Sequence, residues 1–381
     1  MADEQVAQKI KINALRLFPE RPIADPRALE EIFSLWAGHQ RFLILAGPPG
    51  VGKTRAAEDT IQEVIKRRGA LVGMTECRVT ELFPHFRTRP YSESDIRELL
   101  ISRDLDFVWD LCVMHPQITY EDLIRGYRMV ESSVAPKIEV REGILGFASR
   151  VTAILEGIKK ADGLPRSLLV LDEINRAPLG QVLGEAIYAL DRRGVAVATP
   201  YALPGASSLF SLPAGMMILG TMNSVDRAIS GFDFALRRRF ATVYLSSTHT
   251  PIEKRFAVFS ASIRDTALGM FENVKRLVAN AKQTGVVPTS ELLIGHSYFL
   301  PPEEVKTDAD AFEFLVRSIL YQVVPTLIDY QEQGLLEYQA EELERSLFGD
   351  LLGGQTALAN VSSNDIRDRM AKGFLSTGAI T

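Results

Sequence analysis

The chain has 381 residues, 46% of them hydrophobic, a formal net charge of -5 and two cysteines. That length accommodates one large domain and a smaller one around buried cores of ordinary size, and the acidic balance excludes a surface built throughout to hold nucleic acid. Cys77 and Cys112 cannot make a disulfide framework, no basic and then apolar leader opens the chain, and no apolar run approaches the roughly 18 residues of a membrane span, so a cytoplasmic protein with no membrane contact is expected.

In chain order, Asp25-Pro26 predicts a helix start, with Leu29, Ile32, Phe33 and Trp36 following at helical spacing. The apolar run Phe42-Leu43-Ile44-Leu45-Ala46 predicts a buried strand. It leads into Gly47-Pro48-Pro49-Gly50-Val51-Gly52-Lys53-Thr54, which fits G-x-x-x-x-G-K-[ST] and opens a helical segment ending near Gly69. In such a loop glycines let backbone N-H groups turn toward a phosphate, the lysine reaches the terminal phosphates and the threonine hydroxyl sits on a magnesium ion. The helix N-terminus adds its partial positive charge, so these eight residues predict binding of a nucleoside triphosphate.

Leu71-Val72-Gly73-Met74 reads as a second strand, which makes a strand, helix, strand unit and implies a parallel sheet. Residues 76–142 mix aromatic, charged and short apolar pieces and read as an insertion on the sheet, outside its core. Cys77, His85, Cys112 and His115 within it have spacings that do not match common structural zinc sites. Leu145, Ala148, Val151, Leu155 and Ile158 mark a buried helix face, followed by the strand Leu168-Leu169-Val170-Leu171. A helix from Pro178 to about Gly194, a strand at Met216-Met217-Ile218-Leu219 and another at Phe240 to Tyr244 complete an α/β core. The pattern then turns mainly helical. The boundaries expected are an N-terminal helical segment over 1–40, an α/β nucleotide-binding core over 41–247, a smaller helical domain over 248–345 and a tail over 346–381.

The strand at Leu168 ends in Asp172-Glu173, at the C-terminal edge where open parallel sheets bind ligands. Asp172 is expected to hold magnesium together with Thr54, and Glu173 to polarise the attacking water. The next strand delivers Asn223 to the same edge, where it can bond the terminal phosphate or the water. Arg237-Arg238-Arg239 precede the strand at Phe240. In a ring-forming nucleotidase such arginines face the neighbour's nucleotide, and Arg238 and Arg239 are the candidates for that role.

The ordered set Gly47 to Thr54, Asp172-Glu173-Ile174-Asn175-Arg176-Ala177, Gly220-Thr221-Met222-Asn223-Ser224-Val225-Asp226-Arg227, Ala235 to Phe240 and Gly295-His296-Ser297-Tyr298-Phe299 resembles the AAA+ domain of the McrB family. The stretch His115 to Tyr127, the Gly184-Glu185 pair and Val323 to Leu327 resemble it too. The resemblance implies a P-loop AAA+ fold with a helical lid, hydrolysis of ATP or GTP with Mg2+, and a ring oligomer, a hexamer by family habit. It implies a motor for a nuclease of the McrC type in restriction or defence, with DNA contact indirect or through the pore. Asp226 and His296 become further candidates, Asp226 through the motif M-N-x-x-D that accompanies GTP use; the choice between ATP and GTP stays open, because an Asn223 beside the terminal phosphate cannot also reach the base. Family members that restrict DNA carry a DNA-reading domain ahead of the motor, and only a short segment precedes Gly47 here. Two other functions fit the same motifs: a chaperone similar to MoxR-type ATPases that remodels a protein client, and a nucleotide-gated scaffold that barely hydrolyses.

Overall fold

The computed structural model describes residues 25–69, 75–130, 137–192, 194–203, 208–225, 236, 238–283 and 287–337. They form two compact units. One comprises the described residues of Met1–Ala46 and Lys53–Leu245, and the other those of Gly47–Gly52 and Ser246–Thr381. The strand expected at Leu71 to Met74, Asp226 at the end of the M-N-x-x-D motif, Arg237 and the tail lie outside the described residues.

The first unit opens with α1 (Pro26–Ala37), whose N-cap Asp25 accepts the backbone N-H groups of Arg27 and Ala28 at 3.1 Å. Its buried face of Leu29, Ile32, Phe33 and Trp36 is the one the periodicity predicts. Trp36 also donates its indole N-H to the Gly163 carbonyl at 2.9 Å, which fixes the helix on this unit. Next come β1 (Phe42–Gly47) and α2 (Lys53–Gly69), then β2 (Thr75–Arg78), α3 (Glu93–Ser102) and β3 (Leu105–Val113). A one-turn helix α4 (Tyr120–Leu123) leads to a hairpin of β4 (Arg125–Val130) and β5 (Lys137–Glu142), and α5 (Ile144–Ile158) returns to the sheet. The unit continues through β6 (Ser167–Asp172), α6 (Leu179–Leu183), α7 (Ala186–Asp191), the short pair β7 (Val197–Ala198) and β8 (Leu209–Phe210), then β9 (Met216–Asn223) and β10 (Ala241–Tyr244).

Six strands make one sheet in the order β10-β1-β9-β6-β3-β2. The pairs β10/β1, β9/β6, β6/β3 and β3/β2 are parallel. Strands buried on both faces read as continuous apolar runs, as β1, β6 and β9 do. The core they form with α5 holds Ile44, Val108, Leu145, Val151, Leu169, Leu171 and Ile218.

The insertion expected over 76–142 needs correcting, because the sheet runs through it. β2 and β3 both belong to the sheet, and β3 pairs with β6 from Val108↔Ser167 to Val113↔Asp172. What stands apart from the sheet is the α4 and β4–β5 stretch. Asp110 disguised β3 by interrupting its apolar run; its carboxylate is buried and accepts Arg78 Nε and the backbone N-H of Thr80, both at 2.8 Å. A buried charge is tolerable when so paired. The single helix expected from Pro178 to Gly194 is two, α6 and α7, broken at Gly184, whose φ is +49°.

The second unit contains α8 (Thr250–Phe256), the long α9 (Ala261–Asn280), α10 (Asp308–Ser318) and α11 (Val324–Glu332), with a two-stranded antiparallel clip of β11 (Lys282–Gln283) and β12 (Leu336–Glu337). A π turn over Ile319–Val323 joins α10 to α11 directly before Pro325. Proline lacks the N-H that an α turn would need and crowds the preceding carbonyl, and a wider turn relieves both. The continuous helix Asp308–Glu332 is the one stretch among the described residues long and apolar enough to cross a membrane by length and composition. Ala311, Leu315, Ile319, Val323, Leu327 and Tyr330 on it are buried, as in the core helix of a folded unit.

Candidate functional site

Two central strands of the sheet, β6 and β9, are buried until their last residues, and those last residues are polar. β6 is buried from Ser167 to Leu171 and opens at Asp172; β9 is buried from Met216 to Met222 and opens at Asn223. The parallel register Leu171↔Gly220 sets Asp172 beside Thr221. Asp172 Oδ1 accepts the Thr221 hydroxyl at 2.5 Å and the Thr54 hydroxyl at 3.0 Å. Thr54 is the second residue of α2, so the helix start and the acidic strand end meet at one oxygen.

A hydroxyl and a carboxylate oxygen at that spacing are the two protein ligands that a magnesium ion takes beside a nucleotide phosphate. Magnesium prefers oxygen donors and keeps most of its waters, so the pair fits it without a closed cage. With the ion bound, charge on the transferring phosphoryl oxygens would be neutralised there.

Glu173 follows in a left-handed conformation, φ +56°, and starts the 3-10 turn Ile174–Arg176. A non-glycine residue in this region costs about 1 kcal/mol or more and is retained where the surroundings impose it. Here the Glu173 N-H donates to Thr221 Oγ1 at 3.0 Å. Thr221 therefore receives from the Glu173 backbone and donates to Asp172, and ties the Asp172 carboxylate to the start of the turn. Glu173 Oε2 is buried and accepts no hydrogen bond among the described residues; Arg176 Nε stands 3.3 Å away as an ion pair without hydrogen-bond alignment. An acceptor in that condition suits a group whose partner is a water or ligand.

Asn223 uses its Oδ1 to accept the Val225 N-H at 3.3 Å, so what it offers a ligand is its amide NH2. Arg238 is exposed. Arg239 is nearly buried, at 6% side-chain exposure, and pairs with Asp191 Oδ2 at 2.5 Å. The two arginine candidates thus differ: one points to solvent and the other braces α7. Asp226 lies outside the described residues.

The phosphate-loop residues Gly47–Gly52 belong with the helical unit. Gly50 and Gly52 have φ of +76° and +82°, conformations open to glycine. The Pro49 carbonyl accepts the Gly295 N-H and the Gly50 carbonyl accepts the Ser297 N-H, both at 2.9 Å. His296, between them in sequence, is buried. Lys53 is half-buried at the first position of α2.

Thr221 was not among the residues singled out from sequence, although its place one strand over from Asp172 and two residues before Asn223 was a signal. Two pieces that carried the family resemblance also meet. Tyr120 donates its hydroxyl to Glu185 Oε1 at 2.9 Å, and a Cβ on Gly184 would come within 3.0 Å of the Tyr120 ring. Burial, and then the Glu185 carboxylate, push the Tyr120 hydroxyl well above the ordinary tyrosine range, so it stays protonated as a donor.

Residues 99–240 match the model of the AAA domain, dynein-related subfamily. Over 314 residues the chain is 25% identical to the type IV methyl-directed restriction enzyme EcoKMcrB subunit of Escherichia coli K12, which covers 81% of this chain and 57% of that protein. The chain thus spans little more than half the length of that relative. Among solved structures, a protein of Cytophaga hutchinsonii described as an ATPase is 13% identical, covering 85% of this chain and 88% of that one with a TM-score of 0.31. A RuvB variant of Thermotoga maritima is also 13% identical, covering 92% and 84%, with a TM-score of 0.27. The domain match and the similarity to the curated relative together support an McrB-like AAA+ domain in an α/β P-loop fold.

Proposed function

We propose that this McrB-like AAA+ chain is an oligomeric nucleoside triphosphatase that hydrolyses ATP or GTP with Mg2+ and serves as the motor subunit of a restriction or defence complex in the cytoplasm. The observation that carries the reading is the convergence of Thr54, Asp172, Glu173 and Thr221 at one sheet edge. The loop Gly47 to Gly52 wraps the phosphates through the N-H groups of its non-proline residues, and Lys53 offsets the charge of the terminal phosphates. Thr54 and Asp172 hold the magnesium ion. Glu173 accepts a proton from the attacking water, and the Asn223 amide orients that water or the terminal phosphate. Residues 41–247 form the nucleotide-binding core and residues 248–345 the lid.

Arg238, exposed just ahead of β10, is the residue that reaches a neighbouring protomer's nucleotide in a hexameric ring, and Arg239 supports it. An McrC-like nuclease is the proposed partner, with DNA contacted indirectly or through the pore. Similarity to a restriction enzyme subunit favours this over a MoxR-like protein-remodelling ATPase.

The test is magnesium-dependent hydrolysis of GTP and ATP by the purified chain over a range of protein concentrations. Specific activity is expected to rise steeply as protomers assemble, because an arginine supplied in trans is worth roughly 10³ to 10⁵ in rate. Activity that is already maximal in a monomer would contradict the trans arginine. A nucleotide preference for GTP would strengthen the McrB-type reading, and one for ATP would shift it toward protein remodelling.

A further inference from the structure

A loop that binds phosphate with its N-H groups must send its carbonyls the other way, and those carbonyls need donors of their own. In a trans peptide the C=O and the following N-H point in opposite directions. Whatever holds the Pro49 carbonyl therefore aims the Gly50 N-H, and whatever holds the Gly50 carbonyl aims the Val51 N-H. Both carbonyls are held by backbone of one segment, Gly295–Tyr298, through the Gly295 and Ser297 N-H groups at 2.9 Å.

The contact is as close as backbone permits. A Cβ on Gly295 would lie 1.9 Å from the Gly50 carbonyl carbon and 2.1 Å from its oxygen. From the other side, a Cβ on Gly50 would lie 2.4 Å from the Tyr298 ring and 2.8 Å from Ser297 Oγ. Backbone meets backbone at Gly295, and ring meets backbone at Gly50. Tyr298 is fixed in turn: its carbonyl accepts the Ser318 hydroxyl at the end of α10, and burial pushes its phenol above the ordinary range.

We infer that Gly295, Ser297 and Tyr298 are positioning residues for the phosphate loop: they fix its Pro49-Gly50 and Gly50-Val51 peptides with the N-H groups turned outward for a polyphosphate. The inference rests on the nucleotide-binding proposal and adds to it a second segment, more than 240 residues away in sequence by the numbers 50 and 295, on which phosphate affinity depends. Occupancy of the loop and the structure of this segment are then coupled, since two hydrogen bonds join them.

The experiment measures fluorescence binding of methylanthraniloyl-ADP and methylanthraniloyl-GDP, with Mg2+, to the full chain and to Gly295→Ala, Tyr298→Ala and Tyr298→Phe. Hydrogen exchange of the 295–298 amides is followed with and without ADP and GDP. Gly295→Ala is expected to weaken nucleotide binding at least tenfold, Tyr298→Ala several-fold, and Tyr298→Phe less than twofold, because the ring and not the hydroxyl packs on Gly50. In the unvaried chain, nucleotide should slow exchange at Gly295 and Ser297. A purely structural role for the segment would lower thermal stability in the Tyr298→Ala variant while leaving affinity and the nucleotide effect on exchange unchanged, and that result would overturn the inference. If Gly295→Ala fails to fold, Tyr298→Ala and the exchange measurement on the unvaried chain still decide. Failure of the unvaried chain to bind either nucleotide would overturn the nucleotide proposal itself.

Discussion

Thr221 shows how one side chain organises a site. Its hydroxyl bridges the Glu173 backbone and the Asp172 carboxylate, so it fixes the strained turn and the Asp172 oxygen at once. Replacing it with valine keeps the shape and removes both bonds. Thr221→Val should lower turnover about tenfold or more while Mg2+-independent nucleotide binding stays within a factor of about three, measured by steady-state kinetics beside fluorescence titration. Equal losses of binding and turnover would place Thr221 in general packing instead. At this scale the sequence was legible where spacing carries chemistry: Asp172 and Thr54 do meet. It was silent about Thr221, because a threonine in an apolar strand looks like any β-branched residue until the neighbouring strand's register is known. The arginine pair separates only in the structure. Arg239→Ala is expected to lower thermal stability by freeing Asp191 from its partner, whereas Arg238→Ala should leave stability unchanged and reduce turnover of the assembled protein; thermal melts and kinetics at high protein concentration would check both.

Elements were readable in proportion to how purely apolar they are. β1, β6 and β9 stand out as runs because both faces of the sheet are covered. β3 did not, since Asp110 sits buried in its middle and acquires its partners Arg78 and Thr80 only after folding. Helix α2 ends on another such tie. The Arg68 guanidinium is almost wholly buried and donates to both Asp162 oxygens, at 2.8 and 3.1 Å, and to the Leu164 and Pro165 carbonyls just before β6. Burial holds this arginine below its ordinary value, with Arg166 adding to the effect and Asp162 opposing it. Removing one member of a buried pair strands the other, which typically costs about 3 to 5 kcal/mol; Asp162 keeps some solvent, so Arg68→Ala is expected to cost about 3 kcal/mol in denaturant unfolding. A cost below about 1 kcal/mol would mean the tie contributes little.

For the whole molecule, the division into an α/β unit and a helical unit was legible as a change of pattern after Tyr244, and the helical unit begins in the structure at Ser246. That Gly47–Gly52 group with the helical unit was not legible, because it depends on backbone contacts that any sequence at Ser297 would supply and only the glycines at 50 and 295 permit. Gly47–Gly52 thus group with one compact unit, and Asp172 and Glu173 with the other. The most direct measurement is turnover and nucleotide affinity of Glu173→Gln beside the unvaried chain, at a protein concentration where the oligomer is assembled. The account predicts affinity within about threefold and turnover lower by roughly 10² to 10⁴, the usual contribution of a positioned general base. Unchanged turnover would remove Glu173 from the chemistry and contradict the site as described.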